Sequence, residues 1–137
     1  MGEWRKTLVK RIIRLSISCL DSKEKKAVLD VLDKEYLGMG EEVKEFEIAL
    51  SSFFNRSAIC VVNGTYALQL ALQSIGIKTG DEVLVPSLTY LASYQAISAL
   101  GAIPVSCDIN PENLIINVQD AEKRITKRTR CIMPVFY

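Results

Sequence analysis

The sequence predicts an α/β fold, a mostly parallel sheet with flanking helices. Three observations predict it. Four short runs rich in apolar and β-branched residues, at 58–62, 82–85, 103–107 and 131–136, have the length and composition of strands. Between them lie stretches with apolar residues at helical spacing. Strands that alternate with helices are joined by crossovers, which favour parallel pairing and helices on the faces of the sheet. Hydrophobic residues make up 49% of the 137 positions, enough for one domain with a core of its own. The sequence carries no internal repeat and no linker.

Each element has a local reason. Residues 1–15 hold five basic residues and one acid, with Trp4, Leu8, Ile12 and Leu15 roughly on one helical face. A solvated basic extension is expected over residues 1–14, with a membrane-surface helix as the alternative. Asp21 opens a helix, with Glu24 three residues on as a capping box, and Ala27, Val28, Val31 and Leu32 form its apolar face. A glycine-rich loop around Gly38 and Gly40 ends it. A second helix starts near Glu41, with Val43, Phe46, Leu50 and Phe53 on one side, and Asn55-Arg56 breaks it.

Residues 58–62 read as a buried strand, Asn63-Gly64-Thr65 as a turn, and the stretch from Tyr66 as a helix with Gly76 as its C-cap. A turn at residues 78–81 precedes the strand at 82–85. Pro86-Ser87-Leu88 leads into a helix from near Thr89 to Gly101. The strand at 103–107 closes on Asp108. A helix at 118–125, acidic near its start and basic after it, precedes the strand at 131–136.

Composition excludes several chemistries. A net charge of +1 gives no broad electrostatic case for nucleic acid. No apolar run reaches the length of a membrane span and no signal peptide is evident, so a cytoplasmic protein is expected. The cysteines, Cys19, Cys60, Cys107 and Cys131, have no CxxC spacing, and three fall in expected strands. They read as reduced packing residues. Histidine is absent, which removes Ser-His-Asp and Cys-His chemistry and the common zinc sites. No metal site is expected, and any catalysis needs a cofactor or residues elsewhere. Neither GxGxxG nor GxxxxGK[ST] occurs.

In an open α/β sheet, ligands sit beyond the carboxyl ends of the strands. The candidates there are Gly64 and Thr65, Tyr90, and Asp108. A strand–glycine turn–helix start points free N–H groups and the positive end of a helix dipole at one spot, where a phosphate is held. The alternative is an ordinary β-turn-α connection. Tyr90 either stacks on a flat ligand ring or packs against its own helix. Asp108 either faces the ligand or caps the following loop, and capping is favoured.

Five phrases stand in order along the chain: Tyr36-Leu37-Gly38-Met39-Gly40 with Val43 and Phe46-Glu47; the run opening Val62-Asn63-Gly64-Thr65-Tyr66; Gly80-Asp81-Glu82-Val83 with Pro86-Ser87-Leu88-Thr89-Tyr90; Gly101-Ala102-Ile103-Pro104-Val105 with Asp108; and Arg128-Thr129 with Met133-Pro134-Val135. As an ordered set they resemble the N-terminal third of sugar-nucleotide aminotransferases of the DegT/DnrJ/StrS type, pyridoxal-phosphate enzymes of fold type I. The resemblance implies that Gly64 and Thr65 bind the cofactor phosphate and Tyr90 lies on the pyridine ring. It places the loop at Gly38 to Gly40 near the sugar nucleotide.

It also implies that residues 15–137 are a partial large domain. The family's Schiff-base lysine, the aspartate that pairs with the pyridine nitrogen and a later phosphate-binding serine lie beyond Tyr137. Phe136 stands where the family often has His. No catalytic residue is therefore assigned, and the chain alone is expected to be inactive. The expected function is that of an N-terminal fragment of an aminotransferase acting on nucleotide-linked keto sugars. Glutamate is the expected amino donor, polysaccharide or amino-sugar synthesis the expected role, and a homodimer the expected complete protein. The alternatives are a pyridoxal-phosphate dehydratase parent, a non-catalytic remnant, and a phosphate-binding or interaction module. The family's seven-stranded order, 3-2-4-5-6-7-1, implies that strands 2, 3 and 4 of this chain are neighbours and that strand 1, at 58–62, lacks a partner.

Overall fold

The computed structural model describes residues 16–137, in the order α1 (Ser22–Asp33), α2 (Glu41–Phe54), α3 (Gly64–Ser74), β1 (Glu82–Pro86), α4 (Leu91–Ser98), β2 (Ile103–Cys107), α5 (Val118–Arg124) and β3 (Thr129–Ile132). The basic extension expected over residues 1–14 lies outside the described residues. Contacts divide the chain into two units, 1–58 and 59–137, and each is described by itself.

In the first unit, α1 starts as its sequence dictates. The Asp21 carboxylate accepts the Lys23 N–H at 2.7 Å, and the Glu24 carboxylate accepts the Asp21 N–H at 2.8 Å. These bonds satisfy helix-end donors that have no partner inside the helix. The Lys23 N–H, then Glu24, hold the Asp21 carboxyl below its ordinary range. Helix α2 ends at Asn55, whose φ of 51° is left-handed, a conformation Asn tolerates better than most residues. Lys34 and Glu42 form an ion pair on the surface. The apolar faces of both helices are open: neither helix buries a residue, and Val28, Leu32, Phe46 and Phe53 are exposed.

In the second unit β1 is buried along its whole length. It lies in the middle of a three-stranded sheet of order β2-β1-β3. Both pairings are parallel, Glu82 facing Ile103 through to Pro86 facing Cys107 on one side. On the other side Glu82 faces Thr129 and Val83 faces Cys131, so the register shifts and Arg130 is the extra residue. Val83 and Val85 meet Leu72, Ile77, Ala96 and Ile97 on one face, whereas Leu84 meets Cys107 and Ala121 on the other. A parallel strand covered on both faces has no polar side, which is why β1 reads as a continuous apolar run. Gly101 turns the chain into β2 with a φ of 69°, and a Cβ there would stand 2.6 Å from the Thr79 hydroxyl.

The expected strand at residues 58–62 is not formed. It joins no ladder, and Ile59 and Val62 are 74% and 83% exposed. Both sides of β1 are occupied by β2 and β3, and an extended run without a partner is not a strand. The sheet order is the one implied for strands 2, 3 and 4. Cys60 therefore lies outside any strand, while Cys107 is buried and its thiol is pushed up by burial. Strand β3 stops at Ile132 rather than 136. The Met133 N–H makes the last bond, to the Leu84 carbonyl at 2.8 Å, and Pro134 has no N–H to continue it.

Candidate functional site

Helix α3 begins two residues earlier than the turn reading allowed, so Gly64 and Thr65 are its first residues. Asn63 is the N-cap: its side-chain oxygen accepts the Tyr66 N–H at 2.9 Å, and its carbonyl accepts the Ala67 N–H at 3.1 Å. The N–H groups of Gly64 and Thr65 make no hydrogen bond among the described residues, nor does the Thr65 hydroxyl. These donors lie at the positive end of the helix dipole. A Cβ at Gly64 would meet no atom within 4 Å beyond its chain neighbours and the backbone of its own helix.

Tyr90 is the N-cap residue of α4 and makes no side-chain capping bond. It is 81% exposed, so it does not pack against its own helix. It follows β1 directly and therefore stands at the carboxyl edge of the sheet. Helix α3 packs along α4, and the connection at residues 75–81 brings the end of α3 to the start of β1. Helix α4 runs back from the carboxyl end of β1 to the start of the parallel strand β2, so its N-terminus lies at the carboxyl edge of the sheet.

Asp108 closes its own loop, as the sequence favoured. Its carboxylate accepts the Ile109 N–H at 2.8 Å, its carbonyl accepts the Asn117 N–H at 2.8 Å, and its N–H donates to Asp120 at 2.7 Å. Arg124 pairs bidentately with Asp120 at 2.6 and 3.1 Å. Arg124, then the Asp108 N–H, hold the Asp120 carboxyl below its usual range. Sequence reading missed this clamp, although Asp and Arg four apart on a helix signal it. It also missed Asn63 as a cap, where Asn before an apolar-periodic run was the signal. In the first unit, the Tyr36 ring lies within 3.5 Å of where Cβ atoms of Gly38 and Gly40 would stand. A cavity of about 490 Å³ opens beside Gly40, lined by Met39, Glu41, Val43, Lys44 and Glu47.

The family model of the DegT/DnrJ/EryC1/StrS aminotransferases matches residues 18–137. The chain belongs to this family. The GDP-perosamine synthase of Vibrio cholerae is 39% identical over 118 residues, 85% of this chain and 32% of that protein. The dTDP-3-amino-3,4,6-trideoxy-alpha-D-glucose transaminase of Streptomyces venezuelae is 42% identical over 110 residues, 80% of this chain and 29% of that protein. Among solved structures, Spr1654 of Streptococcus pneumoniae in its PMP form superposes with a TM-score of 0.79 at 33% identity, covering 89% of this chain and 31% of that one. NtdA of Bacillus subtilis with bound cofactor PMP gives 0.76 at 31% identity, covering 84% and 28%. The chain spans about a third of the length of the DegT-family relatives it matches. Among the described residues no helix is long and apolar enough to cross a membrane.

Proposed function

We propose that residues 15–137 form part of the large domain of a pyridoxal-phosphate-dependent aminotransferase that acts on nucleotide-linked keto sugars. Gly64, Thr65 and Tyr90 are its share of the cofactor site. The observation that carries this reading is the start of α3, where two N–H groups and one hydroxyl make no hydrogen bond among the described residues, on a segment within the family match. A phosphate ester fits such donors: it is an anion with several acceptor oxygens. The exposed ring of Tyr90 offers a face to a planar heterocycle.

When bound, the cofactor supplies the electron sink for moving an amino group between carbon skeletons. The residues of this chain hold the phosphate and orient the ring, and none of them is assigned a proton-transfer step. Glutamate as amino donor, a role in polysaccharide or amino-sugar synthesis, a homodimeric complete protein and a cytoplasmic location belong to the same proposal. The names of the relatives support the substrate class.

The test joins this chain to the remaining two-thirds of the Vibrio cholerae relative and measures pyridoxamine-phosphate affinity and transamination of GDP-linked keto sugar. Tight cofactor binding with turnover supports the proposal. A soluble, folded fusion that binds no cofactor defeats it. Nucleotide binding by the 137-residue chain alone, lost in Thr65→Val, favours a simple phosphate-binding module instead.

A further inference from the structure

Tyr90 stands on a short connection between β1 and α4 that backbone and side-chain hydrogen bonds hold in place. The Ser87 N–H donates to the Cys107 carbonyl at 2.7 Å. The hydroxyls of Thr89 and Ser93 lie 2.8 Å apart, with Ser93 buried on the first turn of α4. Tyr94, four residues after Tyr90, donates its hydroxyl to Ser106 Oγ at 3.0 Å and toward the Pro86 carbonyl at 3.4 Å. Pro86 is the last residue of β1, and Ser106 is the next to last of β2. One phenol therefore links the first turn of α4 to the carboxyl ends of two adjacent strands. Its ring packs against the apolar core, so its body contributes burial while its hydroxyl contributes direction.

We propose that Tyr94 is a positioning residue: its hydroxyl, bound to Ser106 and the Pro86 carbonyl, fixes the start of α4 against the strand ends and thereby fixes the Tyr90 ring. The assignment rests on the reading of Tyr90 as the ring-stacking residue. Neither Tyr94 nor Ser106 touches the cofactor in this account. Without the hydroxyl bonds the connection at residues 87–90 keeps its backbone tie at Ser87 but loses the lateral tie that holds the helix start.

Hydrogen exchange on the full 137-residue chain at low micromolar concentration tests the tether, with Tyr94→Phe keeping the ring and deleting the hydroxyl. The expected result is exchange roughly two- to tenfold faster in residues 87–95, with residues 82–86 and 103–107 unchanged. Ser106→Ala, at an exposed position, is expected to act in the same direction and decides the matter if Tyr94→Phe fails to fold. Unchanged exchange in the folded variants, or a uniform rise across the unit, overturns the proposal.

A second arm uses the fusion described above, where Tyr94→Phe is expected to weaken pyridoxamine-phosphate binding two- to tenfold and to lose that effect in a Tyr90→Ala background. An effect that persists undiminished without Tyr90 overturns the positioning role. If Tyr90→Ala itself leaves affinity unchanged, the cofactor reading of Tyr90 fails, while the exchange arm still decides whether Tyr94 tethers the connection.

Discussion

Thr65 has a hydroxyl and an N–H at the start of a helix that make no hydrogen bond among the described residues, and the two are separable by mutation. Thr65→Val keeps the shape and the backbone donor but deletes one bond to a charged oxygen. In the fusion with the Vibrio cholerae relative, cofactor affinity is expected to fall by about ten- to a hundredfold, because a hydrogen bond to a charged group contributes roughly 1.5–3 kcal/mol. Equal affinity in a cofactor titration removes the phosphate role from this residue. Tyr90 makes a different demand. Stacking needs the face of the ring, so Tyr90→Phe is expected to bind the cofactor like the parent. Tyr90→Ala is expected to lose about 0.5–1.5 kcal/mol beyond the lost contact area. Equal losses in the two variants assign the effect to the hydroxyl instead.

At the scale of elements, Glu82 joins the start of β1 to the turn before β3. Its side chain is 5% exposed, and it receives the Thr126 hydroxyl at 2.5 Å and Arg128 Nη2 at 2.6 Å. Thr126 first, then Arg128, hold the carboxyl below its ordinary value. A folded-state value depressed in this way stabilises the fold above the unfolded pKa, about 4.3, and the contribution is lost as pH falls through the folded value. Urea midpoints measured from pH 7 down to pH 3 are expected to drop more steeply for the parent than for Glu82→Gln. Parallel curves mean that this carboxylate does not link β1 to β3.

Elements such as this show what the sequence could and could not declare. The capping box at Asp21 and Glu24 and the limits of β2 were legible because their signals are local. The run at 58–62 is as apolar as β1, yet a strand is defined by its neighbour, and pattern says nothing of who that is. For the same reason turn chemistry nominates Gly64 and Thr65 as candidates, whereas Tyr94 and Ser106 meet only after two strands have paired.

At the scale of the whole molecule, the described residues leave much apolar surface in water. Phe46, Phe53, Val62 and Phe136 are all more than half exposed, and among the described residues the outer sides of β2 and β3 have no ladder partner. Bare strand edges and contiguous apolar faces recruit other chains. Chromatography of the 137-residue chain is expected to show dimers or larger species above the low micromolar range. Exchange is expected to be fast at residues 60–62 and slow at 103–105. A monomer at all concentrations, with both segments equally protected, means that residues 58–62 have found a partner absent from this sheet.

The central place of β1 also has a meaning in time. It is the first of the three strands to be synthesised, and β2 follows after one helix, whereas β3 comes roughly 22 residues after Cys107. Thr129 comes 43 residues after Pro86, so at about 5–20 residues per second one side of the most buried strand waits about 2–9 s on the ribosome for its partner. The pause falls on Val83, Leu84 and Val85, the residues least able to remain wet. Nascent chains stalled after β2 and after β3 are expected to differ sharply in chaperone occupancy. The order in which translation delivers the strands thus sets the interval during which this chain is most easily lost.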